Sequence, residues 1–214
     1  MQIFKKQIDI KGWKDIKLCQ LQEIDSLSSF NDELDLVINQ LSILRDEDPA
    51  DIENLPIKEL LSEFSKWSFL KELPKEKNNK IIKINGKRYG MIDLSEMTLA
   101  QMVDIEEYVT DGLIKNMHKI LSVLYLPVSS YNILTKKIVL EEYKPDKVRQ
   151  NMFLNITMDI LYPQVLFFCH IVKDYIQNLA VSLKGKTPTQ EKMMELTNQL
   201  EELSVIQNLN LKKR

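Results

Sequence analysis

Glycine and proline are scarce in this chain: five glycines and seven prolines punctuate 214 residues, below the average usage of roughly 7% and 5%. So few breakers predict long helices. Two cysteines, Cys19 and Cys169, are too few for a disulfide framework, and no apolar signal core follows the charges of Met1-Gln2-Ile3-Phe4-Lys5-Lys6, so a reducing cytoplasm is the expected setting. Neither charge sign dominates. Lys+Arg 29 against Asp+Glu 31 leaves a net charge of −2, which supplies no bulk field toward a phosphate backbone or an anionic membrane surface. Long apolar runs are absent too. The most apolar window, Ile160 to Val172, is broken by Pro163, Gln164 and His170 and is shorter than the roughly 20 residues that span a bilayer. A soluble protein is expected.

The prolines stand where helices start or stop: Asp48-Pro49 followed by Asp51, Leu55-Pro56, Leu73-Pro74, Tyr162-Pro163 and Thr187-Pro188. A ring without an N–H is harmless in a first helical turn. One stretch reads differently. Lys80-Ile81-Ile82-Lys83-Ile84 and Lys87-Arg88-Tyr89-Gly90-Met91-Ile92 flank Asn85-Gly86, the dipeptide that tolerates positive φ at both centres of a type I′ turn, so a β-hairpin is predicted. A lone hairpin is marginal in water. The predicted third strand is Gln2 to Ile10, with Phe4, Ile8 and Ile10 in partial alternation.

Self-similarity appears at a period near 80. Residues 15–25 lie on 96–106 at an offset of 81, with Leu18/Leu99, Gln20/Gln101 and Ile24/Ile105 identical, and Leu41-Ser42-Ile43-Leu44 meets Leu121-Ser122-Val123-Leu124 at an offset of 80. Each copy then continues toward a proline-started helix, at Pro56 and at Pro163. The fold class expected is mainly α: two similar three-helix lobes, as from an internal duplication, with a small antiparallel β-hairpin or sheet element and a C-terminal amphipathic helix. The corresponding division is 1–79, 80–183 with an insertion at 127–150 read as an exposed, partly extended arm, and 184–214. Thr98 with Gln101 is a capping-box pair. Leu99, Met102, Val103 and Ile105, then Ile114, Met117, Ile120, Leu121 and Leu124, keep helical spacing with Gly112 as a stop or bend between. The helix expected from Pro163 to about Leu183 is apolar nearly all round, as a core helix is.

Reactive constellations are few. His118 has no carboxylate or thiol at metal-sharing spacing, and a surface or core-edge role is the simpler reading. Cys169 and His170 are adjacent, so on a helix their side chains diverge by roughly 100° and form no local nucleophile–base pair. Lys184-Gly185-Lys186-Thr187 lacks the earlier glycine and the preceding strand of a phosphate-binding loop. Asp46, Glu47, Asp48, Asp51 and Glu53 lack calcium-loop spacing and read as charge at a helix start. The basic stretch Lys71 to Arg88 reads as a solvated linker and hairpin. No cofactor, metal ligand or catalytic residue is assigned.

What remains is surface for partners. Met193, Leu196, Leu200 and Leu203, with Met194 and Ile206, form an amphipathic stripe, and methionine-rich faces suit adaptable contacts. These six are the candidate partner-binding residues, either folded back on their own lobe or docked on another chain.

A resemblance adds to this reading. Trp13-Lys14-Asp15-Ile16-Lys17-Leu18 with Gln20, Asn54-Leu55-Pro56-Ile57, Asn85-Gly86-Lys87-Arg88-Tyr89, Met97 to Asp104 and Met117-His118-Lys119-Ile120-Leu121 resemble, in order and spacing over residues 13 to about 180, small helical proteins encoded among the virion-morphogenesis genes of tailed bacteriophages. The likeness is a pattern of helix starts and carries no active-site residues. It implies a non-enzymatic role as a tail or neck component, or as a chaperone holding such a component, in the virion or in the host cytoplasm during assembly. The partners it implies are phage structural proteins or further copies of the chain, with no small-molecule substrate, membrane or nucleic acid. A regulatory nucleic-acid binder using the Lys71–Arg88 stretch and an enzyme with an unrecognised carboxylate site are the alternatives.

Overall fold

The computed structural model describes residues 10–27, 32–67, 69, 80–132, 134–135, 137–165 and 168, and every structural statement below concerns these. In chain order they form α1 (Leu18–Ser26), α2 (Glu33–Arg45), α3 (Pro49–Glu53), α4 (Ile57–Lys66), β1 (Ile81–Ile84), β2 (Lys87–Met91), α5 (Leu99–Thr110), α6 (Met117–Leu124), β3 (Tyr125–Tyr131), β4 (Ile138–Leu140) and α7 (Lys147–Leu154). A further helix, α8, covers 158–165. The protein is mainly α with one small antiparallel sheet, ordered β1-β2-β3-β4.

Local chemistry sets the helix starts. Asp32 Oδ1 accepts from the Leu34 and Asp35 amides at 2.8 and 3.2 Å, Asp48 Oδ1 from Ala50 at 2.9 Å, and Asp146 Oδ1 from Val148 at 2.8 Å. Each carboxylate satisfies donors that have no intrahelical partner and sits at the positive end of the helix dipole. Pro49 and Pro56 open α3 and precede α4 as their positions suggested. Of the acidic cluster, Asp48 caps α3, Asp46 closes α2 in the left-handed conformation at φ 54°, and Glu47 pairs with Arg45.

The hairpin forms on Asn85-Gly86, with φ of 48° and 82° at the two turn residues and Ile82 opposite Tyr89. Both positive angles are what a type I′ turn requires. Ile82, Ile84 and Tyr89 point into the core, while Lys83 and Lys87 are exposed. The strand beside β2 is β3, with Gly90 opposite Leu126. Of the N-terminal segment expected there, only Ile10 is described, and it is buried in the core. The reason the pairing fell to β3 is local: α6 runs into it at Tyr125 without a loop, and the Ile92 amide donates to the Leu124 carbonyl at 2.9 Å. The arm expected at 127–150 is therefore half architecture. Its first residues complete the sheet, its tip exposes Leu134, and its end starts α7, which buries Arg149 and Phe153.

One helix start is corrected. The helix placed at Pro163 begins five residues earlier, because the Thr157 carbonyl accepts from the Ile160 and Leu161 amides at 3.1 and 3.2 Å; Pro163 lies inside α8. In α5, Leu99, Met102 and Val103 keep the expected helical spacing and are 77, 44 and 52% exposed. That helix turns Gln101 and Val109 inward instead.

The buried cluster draws on both halves of the sequence, from Ile10, Trp13, Leu18 and Leu41 through Ile120, Leu121, Tyr125 and Phe153 to Leu161 and Phe168. Polar bonds cross it. Gln22 Nε2 donates to the Ile114 and Lys115 carbonyls at 2.7 and 2.9 Å, and an isolated antiparallel bridge joins Lys17 to Thr157, with Leu18 N to Ile156 O at 3.0 Å and Met158 N to Ile16 O at 2.8 Å.

His118 stands at this seam, half-buried, with its Nδ1 at 3.1 Å from Gln22 Nε2. Both Nε2 hydrogens already serve the Ile114 and Lys115 carbonyls, and it is burial, then the nearby Lys119 charge, that holds the imidazole below its ordinary value. The folded state thus binds fewer protons here than the unfolded state. The contribution is complete above about pH 6.5, the ordinary histidine value, and is lost as pH falls through it toward the lower folded value. In urea unfolding at pH 7.5 and 5.0, His118→Gln is expected to lose less stability on acidification than the parent chain; equal losses in both would refute the assignment.

Candidate interaction surface

The α5 helix is fixed on its inner side and bare on its outer side. At its start the Thr98 amide donates to Gln101 Oε1 at 3.0 Å, and Thr98 Oγ1 accepts from the Gln101 amide at 3.4 Å, the reciprocal pair foreseen from the sequence. The other end of the Gln101 side chain is buried and donates from Nε2 to the Val123 carbonyl at 3.4 Å. One residue thereby caps its own helix and ties it to the last turn of α6. At the far end Asn116 Nδ2 donates to the Tyr108 and Gly112 carbonyls, both at 3.1 Å, and to Asp111 Oδ2 at 3.0 Å. The Asn116 bond, with Lys115 beside it, holds the Asp111 carboxyl below the usual range.

A third clamp comes from the loop before α7. Tyr143 donates its hydroxyl to Asp104 Oδ2, Gln150 Nε2 donates to the Tyr108 hydroxyl at 3.2 Å, and Lys119 Nζ lies 5.3 Å from the centre of the Tyr108 ring. Burial, then the Asp104 hydrogen bond, push the Tyr143 phenol well above its usual value. It stays a neutral donor, and the carboxylate facing it is an acceptor. This arrangement positions a helix.

Turned away from these clamps, Leu99, Met102, Val103, Glu106 and Thr110 fall within one stripe of α5 at helical spacing. Its lower half forms a shallow depression of about 570 Å³ lined by Val103, Glu106, Glu107, Thr110 and Asp111. Three large apolar side chains lie uncovered side by side here, beside acids. A second groove, of about 330 Å³, lies between the hairpin turn and α7 and is lined by Ile84, Asn85, Val148, Asn151, Met152, Asn155 and Ile156. Carboxamides and apolar groups make it, with no ionisable side chain to carry out acid–base or nucleophilic work.

The six stripe residues Met193, Met194, Leu196, Leu200, Leu203 and Ile206 lie outside the described residues, as do Cys169, His170 and Lys71 to Lys77. Of the remaining basic stretch, Arg88 stacks over the Tyr131 ring at 5.4 Å. Cys19 is partly buried, and desolvation raises its thiol, which disfavours the nucleophilic thiolate. Among the described residues no group of three or more His, Cys, Asp or Glu side chains could hold a metal ion, and no helix is long and apolar enough to cross a membrane. The sequence reading gave this stripe its helical spacing and did not single it out as a surface. The signal available was the change of character along that stripe, from Leu99, Met102 and Val103 to Glu106 and Thr110.

No known protein family, no curated protein and no solved structure matches the chain.

Proposed function

We propose that this is a non-enzymatic interaction protein of tailed-phage virion assembly, a tail or neck component or the chaperone of one, acting in the particle or in the host cytoplasm. The observation that carries the binding role is the uncovered Leu99–Met102–Val103 face on a helix clamped from behind by Gln101, Asn116 and Tyr143. A rigid, preformed apolar face loses little entropy when a partner covers it. The assembly setting rests on the resemblance of the helix-start segments quoted above. Phage structural proteins are the partners this reading implies, with further copies of the chain as the second possibility.

The same reading includes an internal duplication. Short 3₁₀ turns occur at Trp13–Asp15 and Leu94–Glu96, 81 residues apart, each followed by a helix starting at the same offset. In the first unit the Lys17 amide donates to Gln20 Oε1 at 2.9 Å, while Gln20 Nε2 donates to the Ile43 and Leu44 carbonyls at 3.0 and 3.2 Å. Gln101 does the same between the Thr98 amide and Val123, the residue aligned with Ile43. Two glutamines doing the same two tasks support one helix-pair unit used twice.

The test is capture from phage-infected cells with the full chain and with Val103→Glu, alongside mass spectrometry of purified particles. The expected result is that a phage structural protein is retained by the parent chain and at least tenfold less by Val103→Glu, whose site is exposed and tolerates charge in the fold. Equal retention by both, or capture without any phage structural protein, would overturn the reading.

A further inference from the structure

The small sheet ends at β4, and among the described residues that edge is open. In an antiparallel ladder alternate residues bond to the neighbouring strand, and the residues between them turn their amides and carbonyls the other way. Lys137, Val139 and Glu141 face β3: the Asn132 amide donates to the Lys137 carbonyl and the Glu141 amide to the Pro127 carbonyl, both at 2.9 Å, and the Ser129 hydroxyl donates to the Val139 carbonyl at 3.0 Å. The amides and carbonyls of Ile138 and Leu140 therefore point off the sheet, and none of them is bonded among the described residues. Their side chains hold the strand in place. A Cβ at Gly90 would lie 2.6 Å from Leu140 Cδ2 and 3.4 Å from Ile138 Cγ2, so the glycine leaves the space in which both lean on β2. On the other side of β4, Val139 is 46% exposed, between exposed Lys137 and exposed Glu141, neither of which belongs to an ion pair of the described residues. Lysine, valine and glutamate at alternate positions are their own complement when the strand runs antiparallel to a copy of itself. A two-fold axis at Val139 sets Lys137 opposite the partner's Glu141, and Glu141 opposite the partner's Lys137, flanking the two valines. It also sets Ile138 opposite the partner's Leu140, so that the free amides and carbonyls of both meet. The far edge of the sheet is different. Lys80 and Lys83 stand exposed along β1 with no acid among its residues, and a copy laid on it meets like charge.

We propose that β4 is the self-association site of this chain: two copies join edge to edge, antiparallel about Val139, and their sheets run on as one. The Ile138 and Leu140 backbone bonds hold the strands together, and the Lys137–Glu141 pairs set the register, because a slip of two residues breaks both charge pairs. The dimer leaves both α5 faces uncovered, so it presents two of them to a partner with repeated sites. The inference concerns a different surface from the proposed function and does not rest on it.

The test is sedimentation equilibrium of the full chain, of Lys137→Glu, of Glu141→Lys, and of the two variants mixed in equal amounts. The parent is expected to dimerise with a Kd tighter than about 0.1 mM. Each single variant is expected to dimerise at least fivefold more weakly, because both attractive pairs become repulsive. The mixture is expected to recover the parent's affinity, since the acid introduced at 137 in one copy meets the lysine introduced at 141 in the other. A second measurement needs no variant: amide exchange at Ile138 and Leu140 is expected to slow at least threefold from dilute to concentrated parent protein, while the Lys83 amide, at the β1 edge, keeps its rate. A parent chain that stays monomeric overturns the proposal, as does a dimer that the single variants leave intact, a mixture no tighter than its components, or exchange at Ile138 and Leu140 that ignores concentration. The α5 face and phage proteins play no part in this experiment, so its failure leaves the proposed function to its own test.

Discussion

Phe153→Ala is expected to remove about 3–5 kcal/mol of folding stability, the range for emptying a fully buried aromatic site. The ring is 0% exposed and lies between two tyrosines, 6.4 Å from the Tyr89 ring at a 72° interplanar angle and 6.2 Å from the Tyr125 ring at 45°. It therefore joins α7 to β2 and to the start of β3, the places where helix and sheet meet. Neither tyrosine relaxes into the space easily: Tyr125 is itself fully buried with its hydroxyl donating to Gln164 Oε1 at 2.6 Å, and Tyr89 is held in the hairpin ladder opposite Ile82. Such a loss is a fifth or more of a typical domain's total of roughly 5–15 kcal/mol. Urea unfolding followed by tryptophan fluorescence is the measurement, with Phe153→Leu as the milder companion. A loss under 1 kcal/mol for the alanine variant would mean that α7 is not part of the cooperative core.

The hairpin, the α3 and α4 starts, the Thr98–Gln101 cap and the Gly112 break were legible because each is written in residues adjacent in sequence. Asn-Gly needs no tertiary context to turn, and a carboxylate two residues ahead of a free amide caps it anywhere. What escaped was decided at long range. The third strand could not be read from Tyr125 to Tyr131, since Pro127 breaks the pattern of a strand and α6 gives no stop signal before it. The outward stripe of α5 has the spacing of a core stripe, and only the burial of Gln101 and Val109 on the opposite side fixes its direction. Tyr143 and Asp104, 39 residues apart, carry no joint signal at all. The candidate surface was hidden for the same reason: periodicity identifies an apolar face but not whether the chain covers it.

Arg149→Met is expected to cost about 1–3 kcal/mol, the price of leaving a buried acceptor without its charged donor. The reason lies in how α6 ends. A helix leaves its last four carbonyls without intrahelical donors, and α6 passes straight into β3, inside the core, where water cannot serve them. Each carbonyl is met by a different donor: Leu121 by the Tyr125 amide, Ser122 by Arg149 Nε at 3.0 Å, Val123 by Gln101 Nε2 at 3.4 Å and Leu124 by the Ile92 amide at 2.9 Å. Arg149 Nη2 also donates to the Lys144 carbonyl at 2.7 Å, one residue from the tyrosine that clamps α5. Methionine keeps most of the volume and removes both bonds; the exposed Lys144 carbonyl turns to water, and the Ser122 carbonyl has no substitute. Arg45 is the internal contrast. It is equally buried, yet it makes one bond, Nη2 to Glu47 Oε1 at 3.2 Å, while among the described residues its Nη1 has no hydrogen-bond partner and its Nε, 3.1 Å from Glu47 Oε2, makes no hydrogen bond. A largely buried ion pair with two of the three guanidinium nitrogens unbonded adds little against an apolar replacement, so simultaneous replacement of Arg45 and Glu47 by Met and Leu is expected to be neutral within about 1 kcal/mol or stabilising. Paired urea titrations decide the matter, together with amide exchange over Leu121 to Leu126, which is expected to accelerate in Arg149→Met alone. If both replacements cost the same, the ordered termination of α6 is not what the buried arginine contributes.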